Sequence, residues 1–152
     1  MNALKYFTKK NNVGYLGYKF KKVFGEMPVE LPKKLNIQHR KLEREMNDKE
    51  ILTELKPEEI TLGDLAYALK KLNHDDWFLC YIKDVKDTLW TVNAYWDAYY
   101  RCWRVSAYQV AGSGRWGVGC QVISRNFGIE NLGVENELPG ELVINGVKYK
   151  QV

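Results

Sequence analysis

Four segments of one shape lie 13 residues apart within residues 77–120: Trp77-Phe-Leu-Cys-Tyr81, Trp90-Thr-Val-Asn-Ala94, Trp103-Arg-Val-Ser-Ala107 and Trp116-Gly-Val-Gly-Cys120. Each segment begins with tryptophan, has leucine or valine two residues later, and is long enough to form a β-strand. The connections between them are too short for a parallel crossover, which needs about a dozen residues. The stretch therefore predicts a four-strand antiparallel meander.

The period-two alternation of strand side chains suggests where the tryptophans lie. One face of each segment carries tryptophan, an aliphatic residue and a small residue: Trp90, Val92 and Ala94, with the equivalents Trp103, Val105, Ala107 and Trp116, Val118, Cys120. Such neighbours are typical of a core, so we favour buried tryptophans over a row of exposed stacking platforms. In the first segment the other face, Phe78, Cys80 and Ile82, is apolar as well, which predicts a strand buried on both sides.

Helical signals precede the repeats. Apolar residues recur at helical spacing in residues 36–46 and, more clearly, in residues 62–72. Between them, Asn47 and Glu50 have the spacing of a capping box, which predicts a short helix over residues 48–55. The sequence therefore predicts two or three helices before the sheet.

These elements together predict an α+β fold, in which the N-terminal helices pack on the meander. Asn145-Gly146, flanked by β-forming residues, predicts a C-terminal β-hairpin. A strongly twisted sheet with an apolar concave face tends to close, so a partly open barrel is one expected outcome. Pro28 and Pro32 mark an extended linker. We therefore predict a basic aromatic segment over residues 1–34 and a single α+β domain over residues 35–152.

Composition excludes several classes of protein. No apolar run approaches the roughly 20 residues that cross a bilayer, and the first ten residues lack the apolar region of a secretory signal. Cys80, Cys102 and Cys120 are an odd number without Cys-x-x-Cys spacing, and His39 lies far along the chain from His74. That pattern argues against a disulfide framework and a structural zinc site. We expect a cytoplasmic protein with no membrane segment, no metal and no cofactor.

Positive charge is concentrated near the N-terminus. Residues 1–45 contain eleven lysines and arginines against four glutamates, whereas the remainder contains twelve basic and fifteen acidic residues. Lysines alternate with tyrosines and phenylalanines in this segment, and Lys19, Lys21 and Lys22 form its densest group. This combination is typical of surfaces that contact phosphates and bases, although lysines covering a few core aromatics would give the same pattern.

The later strands predict a polar face opposite the tryptophans. Tyr95, Arg104 and Tyr108 fall on that face, and Trp96, next to Asp97, is expected to be exposed beside it. Tyrosine stacks on bases, and the planar guanidinium of arginine pairs with phosphates. The candidate binding residues are therefore Tyr95, Trp96, Arg104, Tyr108, Lys19, Lys21 and Lys22.

The most favoured function is non-enzymatic binding of nucleic acid, through the basic segment and the polar sheet face. The alternative is a protein–protein module that docks or dimerises through its sheet. The least favoured is a small hydrolase or transferase that uses His74, beside Asp75 and Asp76. No residue is assigned a catalytic role, because no spacing in the sequence pairs a nucleophile with a base.

Overall fold

The computed structural model describes residues 1–110 and 114–128. It has four short α-helices, a 3-10 turn at Lys9–Asn11 and six strands: α1 Ala3–Tyr6, β1 Val13–Leu16, α2 Tyr18–Phe24, β2 Gln38–Lys41, α3 Asp48–Glu54, α4 Leu62–Ala68, β3 Phe78–Lys83, β4 Leu89–Asp97, β5 Cys102–Gln109 and β6 Gln121–Ser124. The strands form one mixed sheet in the order β1-β5-β4-β3-β6-β2. The α+β fold agrees with the sequence, but the described strands do not close into the expected barrel, because their sheet ends at two separate edges.

Two further sequence-based predictions concern a membrane segment and a C-terminal hairpin. No helix within the described ranges is long and apolar enough to cross a bilayer. The hairpin predicted at Asn145-Gly146 lies outside the described residues.

Three consecutive strands form the centre of the sheet. β3 pairs antiparallel with β4, and β4 pairs antiparallel with β5. Phe78 lies opposite Ala94 and Ile82 lies opposite Trp90. Directly opposed residues share a face, so these apolar residues of β3 face the same side of the sheet as the tryptophan of β4.

The four-strand meander is not confirmed, because the fourth segment is not a strand next to β5. Trp116 makes only an isolated bridge with Met46, and the strand that follows, β6, pairs with β3 in parallel on the far side of the sheet. Two glycines weaken this segment as a strand. Gly119 has a φ of +93°, and the Cys120 amide donates to the Gly117 carbonyl. The segment is therefore a turn that redirects the chain before β6 begins.

The four tryptophans of the repeat are not equivalent. Trp90 and Trp103 are buried in the core as predicted, whereas Trp77 is 49% exposed and Val118, expected in the core, is exposed. The register explains the exposure of Trp77. It is the residue before Phe78, so it lies on the opposite face from Phe78, Ala94 and Trp90.

The first core covers one face of the sheet and includes the N-terminal segment. α1 and α2 contribute Ala3, Phe20 and Phe24, and these pack with Trp103 of β5 and residues of α4. Phe20, which could have belonged to a short strand with Tyr15 and Tyr18, lies on α2. β1 pairs with β5 in parallel, so residues of the 1–34 segment extend the same sheet.

The region before α3 differs from the sequence-based prediction. Residues 36–46 were expected to form a helix, but Gln38–Lys41 is strand β2, paired antiparallel with β6. Leu42 and Met46, four residues apart, are both buried without helical structure. Pairing with a strand about 80 residues later decides the conformation, and local spacing carries no information on that partner.

The other two predicted helices are confirmed. α3 begins after Asn47 with both hydrogen bonds of the capping box to Glu50. α4 begins at Leu62 behind a second capping box and ends at Ala68, earlier than the predicted residue 72.

A second core covers the opposite face of β3. Leu79, Tyr81 and Val122 pack there with Ile51 of α3, so β3 is buried on both sides as predicted. The Tyr81 hydroxyl donates to the buried Asp48 carboxylate at 2.8 Å, and burial together with that carboxylate raises the pKa of Tyr81. The second core contains no residue of β1, so the sheet is covered on both faces at β3 and less completely toward β1.

Replacing two tryptophans of the repeat by alanine, one at a time, tests whether the two faces of the sheet are covered unequally. Trp103 is 1% exposed and donates its indole N–H to the Leu69 carbonyl at 3.1 Å. We expect Trp103→Ala to lower the free energy of unfolding by about 3–5 kcal/mol, and Trp77→Ala by about 1 kcal/mol, the contribution of one exposed ring stack.

Urea unfolding followed by circular dichroism measures both losses. If Trp103→Ala does not fold, Trp103→Phe provides the comparison, with an expected loss of about 1–2 kcal/mol from the missing hydrogen bond. Equal losses at the two positions would contradict the assignment of the faces.

Candidate nucleic-acid interface

A row of four side chains crosses the less covered face of the sheet. It consists of Trp77, Tyr95 of β4, Arg104 of β5 and Tyr15 of β1, and it is called the aromatic row below. The rings of Trp77 and Tyr95 stack at 4.3 Å with 5° between their planes. Tyr95 lies opposite Arg104, and Arg104 lies opposite Tyr15. Strand pairing therefore brings together residues from four separate parts of the chain.

Arg104 links the two halves of the row. Its Nε donates to the Tyr95 hydroxyl at 3.0 Å, and its guanidinium lies 4.1 Å from the centre of the Tyr15 ring. One terminal nitrogen lies 3.8 Å from the Asp97 carboxylate. A cation over an aromatic ring is attracted by about 0.5–1 kcal/mol at an exposed site. These contacts restrain the guanidinium at the surface of the sheet, where part of it is open to solvent.

Of the lysines of α2, Lys21 lies close to the Tyr15 end of the row. α2 follows β1 directly and packs against β5. Lys9 and Lys21 line the same shallow cavity as Tyr15, with a volume of about 330 Å³. Lys22 lies 5.9 Å from the centre of the exposed Tyr18 ring. Lys19, Lys21 and Lys22 are all exposed, so their charges are available to a partner.

Tyr108 and Trp96 lie apart from the aromatic row. Tyr108 is on the same face, two positions beyond Ser106, and its ring meets that of Trp116 edge-on at 5.6 Å. Trp96 lies on the other face, opposite Trp103, and packs against the first core. It was expected to be exposed beside the row. Trp96 follows Trp90 by six residues, an even number, so strand alternation already places it on the same face as the buried Trp90.

Two residues of the row were not among the sequence-based candidates. Trp77 was assigned to the core by analogy with Trp90, and Tyr15 was treated as part of a separate basic segment. For Trp77, the available signal was that it falls out of phase with the apolar residues Phe78, Cys80 and Ile82. Nothing local connects Tyr15 with β5, because their parallel pairing joins residues about 90 positions apart.

Histidine and cysteine are often catalytic in other proteins, but in this protein they make structural contacts. The His74 ring stacks on Trp96 at 3.7 Å and meets Trp103 edge-on. Burial raises the pKa of the Cys120 thiol to about 12, with the Asp76 carboxylate adding to the effect, and burial also raises that of Cys80. Within residues 1–110 and 114–128, no group of three or more His, Cys, Asp or Glu is arranged to hold a metal ion.

A comparison of the chain with protein-family models, curated proteins and solved structures finds no match.

The thiols provide a direct test of the site chemistry. A free thiol has a pKa of about 8.5, so a pKa near 12 makes the thiolate of Cys120 rarer by roughly a thousandfold at pH 8. We expect Ellman's reagent to label Cys120 in the native protein slowly, with a rate that rises with pH and shows no plateau up to about pH 10. Unfolded protein in denaturant, with all three thiols reactive, is the control. Peptide mapping assigns the label, and a plateau near pH 8 for Cys120 would instead identify an activated thiolate.

Proposed function

We propose that this protein is a non-enzymatic module that binds single-stranded nucleic acid through the aromatic row and the lysines of α2. The observation that carries the proposal is the position of the Arg104 guanidinium over the Tyr15 ring, 4.1 Å from its centre. This contact joins the polar sheet face to the basic N-terminal segment. Because β1 is an edge strand among the described strands, the rings of the row meet Lys9 and Lys21, which line a cavity with Tyr15, at this edge of the sheet.

The rings in this surface are suited to bases that are not paired. Tyr15 and Trp77, at the two ends of the row, and Tyr18 beside it are exposed. Three strand spacings separate the ends of the row, which is about 14 Å. Stacking of one base on an aromatic side chain contributes about 1–3 kcal/mol and tolerates any base. A single strand, whose bases are free to stack, fits this surface better than a duplex.

The charge near the row favours a polyanion. Residues 1–25 contain six lysines and no aspartate or glutamate. Lysine is a compact charge on a flexible chain and contacts phosphates without reading base edges. Arg104 adds a planar group that stacks and also donates hydrogen bonds. We therefore expect binding that is mainly electrostatic, with little sequence preference.

Fluorescence polarisation with a labelled single-stranded oligonucleotide tests the proposal. Binding is expected at about 50 mM salt and should weaken by a factor of ten or more at about 200 mM. The triple variant Lys19→Gln/Lys21→Gln/Lys22→Gln should reduce the slope of log K against log salt by about 2, because three phosphate contacts are lost. Tyr15→Ala should weaken binding by a factor of about 5 or more at constant salt slope, because it removes stacking rather than charge.

A second triple variant controls for overall charge. Lys49, Lys70 and Lys86 are exposed and lie outside the proposed surface, so changing them to glutamine lowers the net charge equally. Equal weakening by the two triple variants would show that binding follows net charge and not this surface. Absence of binding at about 50 mM salt would overturn the proposal.

Docking to a protein through the sheet is the alternative function. The observation in its favour is that β1 and β2 each pair with a strand on one side only among the described strands. Both edges are four residues long, and β2 carries Arg40 and Lys41, features that oppose edge-to-edge pairing. A dimer that persists at about 500 mM salt in light scattering, together with no oligonucleotide binding, would favour this alternative over the nucleic-acid proposal.

A further inference from the structure

A second cavity has Trp77 in its lining and none of the lysines of α2. Its volume is about 490 Å³, and its walls include Trp77, Trp116, Asp75, Asp76 and Arg115. The turn from Gly117 to Cys120 completes the lining. A methyl group added at Gly117 or Gly119 would meet no atom within 4 Å, so open space surrounds this turn.

Both indoles of this cavity are fixed by contacts outside it. Trp77 stacks on Tyr95, which covers one of its ring faces. Trp116 donates its indole N–H to the buried Asp48 carboxylate at 3.0 Å and meets the Tyr108 ring edge-on. Rings held in this way lose little further freedom when a ligand binds, which favours affinity.

The charges at the cavity favour a cation. Asp76 accepts hydrogen bonds from Asn73 and from Gln121, at 3.1 and 2.6 Å. These two bonds lower its pKa, so it stays ionised at neutral pH. Asp75 beside it is exposed.

Arg115, the basic residue among the described residues that line the cavity, is already neutralised. The Arg115 guanidinium lies 3.5 Å from the Glu45 carboxylate and 3.3 Å from that of Glu50, and it donates to the Glu45 carbonyl at 3.0 Å. Two carboxylates therefore offset its positive charge. Lys41 lies near enough to Asp76 to contribute to the lowering of its pKa, so the negative charge that remains at the cavity comes mainly from the exposed Asp75.

We propose that the cavity between Trp77 and Trp116 binds an alkylated ammonium group. The faces of indole rings attract cations, and quaternary ammonium groups are the ligands that aromatic cages select. Alkylation removes N–H donors and weakens hydration, so such a cation is transferred from water to an indole-lined cavity more easily than a lysine ammonium. Phosphate-bearing ligands are disfavoured, because the two aspartates would repel them. The group belongs either to a small molecule such as choline or to a trimethylated lysine side chain.

Titration of the full chain with choline, followed by tryptophan fluorescence and calorimetry, tests this proposal. Choline is expected to bind with a Kd in the millimolar range, whereas its uncharged isostere 3,3-dimethyl-1-butanol should bind at least about fivefold more weakly. A trimethyllysine peptide and its unmethylated form are titrated in parallel. Tighter binding of the methylated peptide than of choline assigns a side-chain ligand, and the reverse order assigns a small molecule.

Variants separate this cavity from the nucleic-acid surface. Asp75→Asn and Trp116→Phe lie outside the aromatic row and should weaken choline binding by roughly threefold or more without changing oligonucleotide affinity. Trp116→Phe also loses the bond to Asp48, so Asp75→Asn is the variant that tests the site without disturbing the fold. Tyr99→Ala, at an exposed position that does not line the cavity, is the matched control. Equal binding of the neutral isostere, unchanged affinity in Asp75→Asn, or no binding at about 50 mM choline would overturn the proposal.

Discussion

The register between β3 and β4 determines where the side chains of both strands lie. Phe78 lies opposite Ala94, and a slip of one residue would exchange the two faces of β3. In the observed register the apolar Phe78, Cys80 and Ile82 join the first core. The same register places Trp77 on the opposite face against Tyr95. One pairing therefore builds the core and also leaves an indole at the surface.

Unequal cover of the sheet explains why the binding candidates lie where they do. Around β3 both faces are packed, and even the polar Thr91 and Asn93 of the neighbouring strand are buried. Farther along the sheet, at Tyr95 and Arg104, that cover ends and the side chains are partly exposed. Polar and aromatic residues on this part of the face are held by each other, through stacking and the bond from Arg104 to Tyr95.

Local sequence signals predicted some elements of the fold but not its long-range strand pairings. The capping box at Asn47 and the apolar spacing after residue 61 identified α3 and α4, because a helix start depends on residues within one turn. The tryptophan spacing identified the core positions Trp90 and Trp103. It failed for Trp77, which is exposed, and it predicted a fourth strand at Trp116, where the chain instead turns, since a sequence repeat fixes neither the register nor the next neighbour. Tyr95 and Arg104 were recognised from strand alternation, whereas Tyr15 joins them only through a parallel pairing that no local signal marks.

Trp77 separates two surfaces of opposite charge. One of its ring faces is covered by Tyr95, the start of a row that leads through Arg104 to Tyr15 and the lysines of α2. Trp77 also lines the cavity that contains Asp75 and Asp76. Charges farther apart than about 8–10 Å are largely screened at physiological ionic strength, and the row alone spans about 14 Å. One small sheet can therefore bind a polyanion at the lysine end of the row and a cation at the cavity. The Trp77 indole contributes a ring to each surface and carries no charge of its own.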